Sequence, residues 1–266
     1  MPEGHLRCGP DRLEIIGLGP GSPQGLTFEA REALNRTEAA VGYGLYIDQA
    51  RPHLNPDCRI IASGMTREMD RAQKAIDLAR EGLNTAVISG GDSGVYAMAG
   101  AVFELAAAQK LPLGQKPGEL YIKVIAGIPA VISGAALLGA PLTHDFCAIS
   151  LSDRLTPWEV IEKRLSLAGQ GGFVIALYNP KSHGRSWQLA KAAEILSRHL
   201  PPKTPVGLAG RVGREGEKTQ VTTLDKLAEK DVDMQTLVIV GSPSTFVYRN
   251  YLITPRGYMD KYWSGE

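Results

Sequence analysis

Three mainly apolar runs in this chain end in glycine, and that pattern limits the available folds more than any other feature. Leu13–Leu18 runs into Gly19-Pro20-Gly21, Thr85–Ser89 into Gly90-Gly91-Asp92-Ser93-Gly94, and Tyr121–Ala126 into Gly127. Short apolar runs closed by turn residues mark buried strands. Helical spacing lies between them. Thr27 can cap a helix reaching about Asn35. Behind a cap expected at Thr66, Met69, Ala72, Ile76 and Ala79 recur at steps of three and four until Gly82 stops the segment. Further short runs at 39–41 and 60–61 complete a strand–helix alternation, the signature of α/β architecture.

The second half has a different texture. Phe146–Ser150, Phe173–Tyr178, Val206–Ala209 and Leu237–Val240 are apolar runs. Thr156-Pro157-Trp158-Glu159 has the form of a capping box with proline at the first helical position, and Trp158, Ile161, Leu165 and Ala168 keep helical spacing behind it. A further helix is expected from Ser186 until Pro201-Pro202, and Gln220–Thr223 can return as a hairpin strand. Gly139-Ala140-Pro141 is the natural boundary. The expected organisation is an N-terminal extension (1–12), an α/β domain (13–140), a second α/β domain (141–258) and a tail (259–266).

Composition excludes several classes. Glycine makes up 30 of 266 residues, above the usual ~7%, but without a G-X-Y period, so its placement in turns is what matters. With 29 basic against 28 acidic side chains the chain has no polycationic bias, which argues against a nucleic-acid partner and against an acidic disordered chain. Cys8, Cys58 and Cys147 form no C-x-x-C, and the histidines form no ligand spacing, so no protein-bound metal and no disulfide framework is expected. Residues 124–144 carry no formal charge and are long enough to span a bilayer, but Gly127, Pro129, Gly134, Gly139 and Pro141 divide them. They read better as a strand, a turn and a short helix at about 131–138. With no apolar leader at the N-terminus, the expectation is a cytoplasmic protein without a membrane partner.

Glycine turns after strands invite the dinucleotide-fold hypothesis, which fails on detail. Gly17-Leu18-Gly19-Pro20-Gly21 places Ser22 where the third fingerprint glycine belongs, and the second strand ends in Val41-Gly42 rather than an acid. Two glycines and a carboxylate at Gly90-Gly91-Asp92 can grip a ligand bearing amine and hydroxyl donors or balance a nearby cation, although aspartate is also common in turns. In context, Gly91-Asp92-Ser93-Gly94-Val95-Tyr96 resembles the G-D-P-x-x-Y loop of the tetrapyrrole methylases. Residues 13–22 resemble that family's opening strand and G-x-G-P-G loop, and Ala126-Gly127-Ile128-Pro129-Ala130 its P-G-[IV]-[TS]-A turn. Segments at 138–146, 150–153, 156–161, 176–180, 213–217 and 254–258 are similar to the precorrin-3B C-17 methyltransferase branch. Ser93 stands where the family usually has proline, and Ala126 and Pro129 invert the later turn.

The resemblance implies two α/β domains of the tetrapyrrole methylase type with the active site in the cleft between them, and a homodimer. It implies S-adenosylmethionine as methyl donor, S-adenosylhomocysteine as product, and a precorrin methylated at C-17 with coupled ring contraction in cobalamin biosynthesis. Carried over by position, the cofactor residues are Pro20, Gly90, Gly91, Asp92, Val95, Pro129, Ala130, Asn179 and Val212. Acid–base candidates for the contraction are His144, Asp145 and Asp153, with Glu159 and Glu215 behind them. Lys181, Arg185, Arg211, Arg214 and Arg256 are candidates for pairing with the substrate's carboxylates. Whether cobalt sits within the substrate stays open. So do a relative acting at another ring position or on a non-tetrapyrrole substrate, and a tetrapyrrole carrier without activity.

Overall fold

The computed structural model describes residues 9–182 and 186–263. The chain divides into two compact units, one through Pro129 and one from Ala130. That division falls ahead of the 140/141 boundary expected from the sequence. The reason is packing: the helix of residues 130–138 lies against strands of the second unit.

In the first unit, β1 (Asp11–Gly17), β2 (Ala39–Tyr43), β3 (Arg59–Ser63), β4 (Thr85–Ser89) and β5 (Leu120–Ile125) form a sheet in the order β3-β2-β4-β1-β5. Every pairing in it is parallel. Both faces are covered, which is why β1 and β4 read as near-continuous apolar runs rather than alternating ones. Leu13, Ile15, Val41 and Val87 pack under α3 (Glu68–Arg80) and α4 (Met98–Ala108). Ile16, Ala40, Ile88 and Ile125 pack under α1 (Phe28–Asn35) and α2 (Gly44–Ala50). Thr27 caps α1 as expected, its hydroxyl accepting from the Ala30 amide at 3.2 Å. Thr66 does not cap α3: the N-cap is Arg67, and Thr66 instead takes a left-handed conformation with φ 65°. Met69 is exposed rather than part of the apolar face, because the buried stripe starts with Arg71 and Ala72.

The second unit opens with α5 (Ala130–Leu138) and β6 (Gly139–Ala140), followed by β7 (Phe146–Ser150), α6 (Trp158–Gln170), β8 (Val174–Tyr178) and α7 (Gln188–Leu196). Next come β9 (Pro205–Gly210), β10 (Lys218–Thr223), β11 (Thr236–Val240), β12 (Phe246–Tyr248), β13 (Tyr251–Ile253) and α8 (Tyr258–Tyr262). The main sheet runs β10-β9-β11-β8-β7, and β10 pairs antiparallel with β9 as the hairpin reading requires. A small sheet, β12-β13-β6, stands beside it. The helices α6 and α7 cover one face with Ile161, Leu165, Leu189 and Leu196, while α5 covers the other with Val131, Ala135 and Leu138. The capping box does not form: Pro157 is itself the N-cap of α6 and makes no side-chain cap bond. The next helix starts at Gln188, two residues after the expected Ser186. Among the described residues no helix is long and apolar enough to cross a membrane.

One buried ion pair tests the packing of the first unit. Glu14 lies on the α1 face of β1, its side chain 8% exposed, and bonds Arg36 at the end of α1. Removing only the cation strands a buried carboxylate, which is more costly than removing the pair. Arg36→Met is expected to lower stability by about 2 kcal/mol, discounted because Arg36 is part-exposed, and Glu14→Leu/Arg36→Met should recover about half. Urea unfolding of the three proteins checks this; equal losses in both variants would mean the pair carries no coupling.

Candidate active site

In the first unit, adjacent strands β1 and β4 send their following connections to opposite faces, β1 to α1 and β4 to α4. Open parallel sheets bind ligands at the carboxyl end of such a switch point. Here that place holds the first two glycine loops, and the third follows β5 on the other side of β1. Gly19 and Gly91 exchange backbone hydrogen bonds of 2.9 and 2.8 Å, joining the first two loops. Asp92 joins the third: its Oδ1 accepts from the Gly127 amide at 3.0 Å and its Oδ2 from the Gly94 amide at 2.8 Å. Fully buried Ser93 donates its hydroxyl toward the carbonyls of Ile15 (3.1 Å) and Ile125 (3.3 Å). A proline there would have no such donor, so the departure at Ser93 brings its own anchor.

The surface these loops offer is backbone. A Cβ on Gly17 would lie 2.7 Å from the Gly91 carbonyl oxygen, and one on Gly127 only 2.1 Å from it. Side chains are therefore excluded, while Pro20, Gly90, Gly91, Asp92, Val95 and Gly127 remain only partly covered. A carboxylate has about four acceptor positions. With two used internally, Asp92 keeps capacity for a ligand's hydroxyl or ammonium donors. The set of backbone amides, carbonyls and one carboxylate fits an amino-acid-like or ribose-bearing ligand.

The second unit uses side chains at the corresponding edge. The strands β7, β8 and β9 point the same way, so 150–153, 178–181 and 210–214 lie along one carboxyl edge. Asn179, in a left-handed conformation with φ 53°, donates from Nδ2 to Ser150 Oγ at 3.0 Å. Asp153 Oδ2 accepts from buried Gln188 at 3.2 Å. The Tyr178 hydroxyl accepts from the Val131 amide at 2.9 Å, in the first turn of α5. Val212 packs on the α5 face of the core. Arg211 (φ 52°) lies 3.9 Å from Asp233, and the Arg214 amide closes a turn on the Arg211 carbonyl.

The structure thus gathers Pro20, Gly90, Gly91, Asp92 and Val95 at one edge of the first unit. It gathers Asp153, Asn179, Lys181, Arg211, Val212 and Arg214 at one edge of the second. Pro129 ends the first unit and Ala130 begins α5. The three acid–base candidates are not together. His144 and Asp145 precede β7 and Asp153 follows it, a separation of about 15 Å at the usual strand rise. His144 Nδ1 instead accepts from the Asp145 amide at 2.8 Å, and both side chains are well exposed. Arg256 is exposed between β13 and α8. Arg185 lies outside the described residues. Burial pushes the thiols of Cys58 and Cys147 up, so neither is a ready nucleophile at neutral pH. Sequence reasoning missed the anchoring roles of Ser150, Tyr178 and Gln188. The signal for Ser150 and Tyr178 is position at the ends of apolar runs, whereas Gln188, the first residue of α7, carries none.

An α/β protein with a backbone-built ligand site at a switch point is the class these features define. The family model of the tetrapyrrole (corrin/porphyrin) methylases matches residues 12–228, and the chain belongs to that family. It is 48% identical over 246 residues to the probable cobalt-factor III C(17)-methyltransferase of Salmonella typhimurium, covering 92% of this chain and 99% of that one. It is 45% identical over 251 residues to the precorrin-3B C(17)-methyltransferase of a Sinorhizobium species, covering 92% and 96%. Among solved structures, the methyltransferase CobJ superposes with a TM-score of 0.85 at 36% identity, over 92% of this chain and 99% of that one.

Because Gly127 meets the Gly91 carbonyl, Gly127→Ala is expected to force the loops apart and cost about 1–3 kcal/mol. Thermal unfolding measures it. A loss no greater than that of Gly44→Ala, where a Cβ meets nothing within 4 Å, would show that the loops give way freely.

Proposed function

We propose that the chain is an S-adenosylmethionine-dependent C-methyltransferase acting at C-17 of a corrin precursor, with coupled ring contraction, in cobalamin biosynthesis. The observation that carries this is the full-length similarity to two proteins bearing C(17)-methyltransferase names, together with the Gly91–Asp92 loop geometry. When bound, S-adenosylmethionine supplies an electrophilic methyl group on its sulfonium; S-adenosylhomocysteine is what leaves.

Such a transfer is an in-line displacement. Its barrier falls by several kcal/mol when nucleophilic carbon and methyl are held about 3–3.5 Å apart, so positioning does more than a strong base. The rigid loops fit that demand. Gly90, Gly91 and Val95 offer backbone groups, Asp92 adds an acceptor, and Pro20 shapes the first loop. For Pro129, Ala130, Asn179 and Val212 the cofactor assignment rests on the resemblance. Ring contraction adds proton transfers. Asp153, held by Gln188 on a loop edge rich in polar groups, is the stronger candidate; His144 and Asp145 are the alternative pair. Lys181, Arg211, Arg214 and Arg256 are proposed to meet substrate carboxylates. We further assign a homodimer, supported by the outer edge of β12, which pairs with no strand among the described residues and where Phe246, Val247 and Tyr248 are all exposed beside Tyr251. A cytoplasmic location is assigned on the family resemblance.

The purified protein is expected to add one methyl group, read by mass, to cobalt-factor III or to precorrin-3B. Running both substrates decides whether cobalt is required, since the two relatives' names differ on it. No methylation of either would refute the assignment. Asp92→Ala should weaken S-adenosylhomocysteine binding by about tenfold or more, roughly 1.4 kcal/mol, by calorimetry. An unchanged affinity would remove Asp92 from the cofactor site.

A further inference from the structure

The start of α3 carries an arginine that neither the core nor the cofactor loops explain. Arg71, in the first turn of α3, is 6% exposed. Its Nη2 donates to the Gly64 carbonyl at 3.1 Å, and its Nη1 lies 3.7 Å from Met98 Sδ at the start of α4. Its nearest carboxylate, Glu68, is half-exposed and 3.6 Å away. Arg71 Nε has no hydrogen-bond partner, and neither does the buried hydroxyl of Ser63 at the end of β3. One carbonyl, one thioether and one loose carboxylate compensate poorly for a desolvated guanidinium. A methionine would fill the same space at lower cost, so stability alone does not account for an arginine here.

What Arg71 does is tie two strained loops at the carboxyl edge of the first unit. On the Gly64 side, Thr66 is a β-branched residue at φ 65°; on the Met98 side, Tyr96 stands at φ 52°. Side chains larger than glycine hold such conformations only where their surroundings impose them. Beside these positions the loops expose large groups: Met65 at 53%, Tyr96 at 54%, and the Arg67 side chain at 66%. Arg67 pairs with Asp70 at 3.2 Å in a solvent-exposed contact, the kind that contributes little and exchanges readily for another carboxylate. The 91–94 segment, by contrast, is held independently by Asp92 and Ser93.

We propose that Arg71 is a positioning residue for the macrocyclic substrate. It holds the two loops so that Met65 and Tyr96 present an apolar surface to the flat ring and Arg67 a cation to one of its peripheral carboxylates. This rests on the methyltransferase reading and deepens it, because it assigns substrate contacts in the first unit to residues outside the cofactor set, Tyr96 standing next to Val95 on the loop after β4.

The test compares wild type with Arg71→Met, Arg71→Lys and the exposed pair Met65→Ala/Arg67→Ala. KM for the methylated precursor (cobalt-factor III or precorrin-3B) and kcat are read together with S-adenosylhomocysteine affinity. Arg71→Met and the double variant are expected to raise KM about tenfold, Arg71→Lys less, with S-adenosylhomocysteine affinity within about twofold of wild type throughout. An unchanged KM in the double variant overturns the proposal. So does a parallel loss of cofactor affinity in Arg71→Met, which would mark a general loosening of the unit. Should Arg71→Met fail to fold, the double variant decides alone. A wild type that methylates neither precursor defeats the functional reading and this inference with it, whereas an active wild type with indifferent variants defeats only the inference.

Discussion

The reciprocal hydrogen bonds between Gly19 and Gly91 are the contact on which the first unit's site depends. The strands β1 and β4 run parallel, yet just beyond their ends these two residues meet as an antiparallel bridge. Both chains must turn sharply to do so, and both glycines sit at positive φ, 73° and 64°. With the loops clamped this closely, the third turn can only approach as bare backbone, which is the condition Gly127 meets. The glycine clusters are therefore one arrangement rather than three separate turns, and Asp92 closes it from the side.

The second unit reaches a similar rigidity by other means. Its carboxyl edge is held by side chains: Asn179 to Ser150, Gln188 to Asp153, Tyr178 to the start of α5. Backbone-lined loops suit a ligand gripped by its own polar groups at close range. A polar side-chain edge with Lys181, Arg211 and Arg214 suits a ligand rimmed with carboxylates. Under the proposed function the two halves of the chain would meet different parts of the reaction, the first the cofactor and the second the carboxylates of the substrate.

Much of this is legible in the sequence. A strand buried on both faces must be apolar throughout, so β1, β4 and β8 stand out, and Thr27 announces α1 by its capping chemistry. The illegible parts share a cause, which is that tertiary contacts override local signals. Thr156–Glu159 has the residues of a capping box, but Pro157 takes the N-cap itself. The helix α4 carries weak apolar periodicity because its exposed face also bears apolar side chains, Phe103 among them, and β6 and β13 are too short to signal except through each other. At the site, the glycines and Asp92 are visible in order along the chain, whereas nothing in the sequence marks Arg71. Only its burial between Gly64 and Met98 sets it apart.

Asp92 shows how geometry alters the meaning of a motif. Read in sequence, a carboxylate after two glycines is either a ligand group or an ordinary turn residue. In the structure both oxygens already accept amide hydrogen bonds from Gly94 and Gly127. Charge-assisted bonds of this kind are among the stronger ones, so the carboxylate contributes to loop order before any ligand arrives. Its remaining lone pairs are then presented from a fixed position, and a ligand bound there need not order the loop itself. Preorganisation of this sort lowers the entropy lost on binding. Loop closure already uses both carboxylate oxygens, which an asparagine could not supply, and under the proposed function the remaining lone pairs of the same group would meet the ligand.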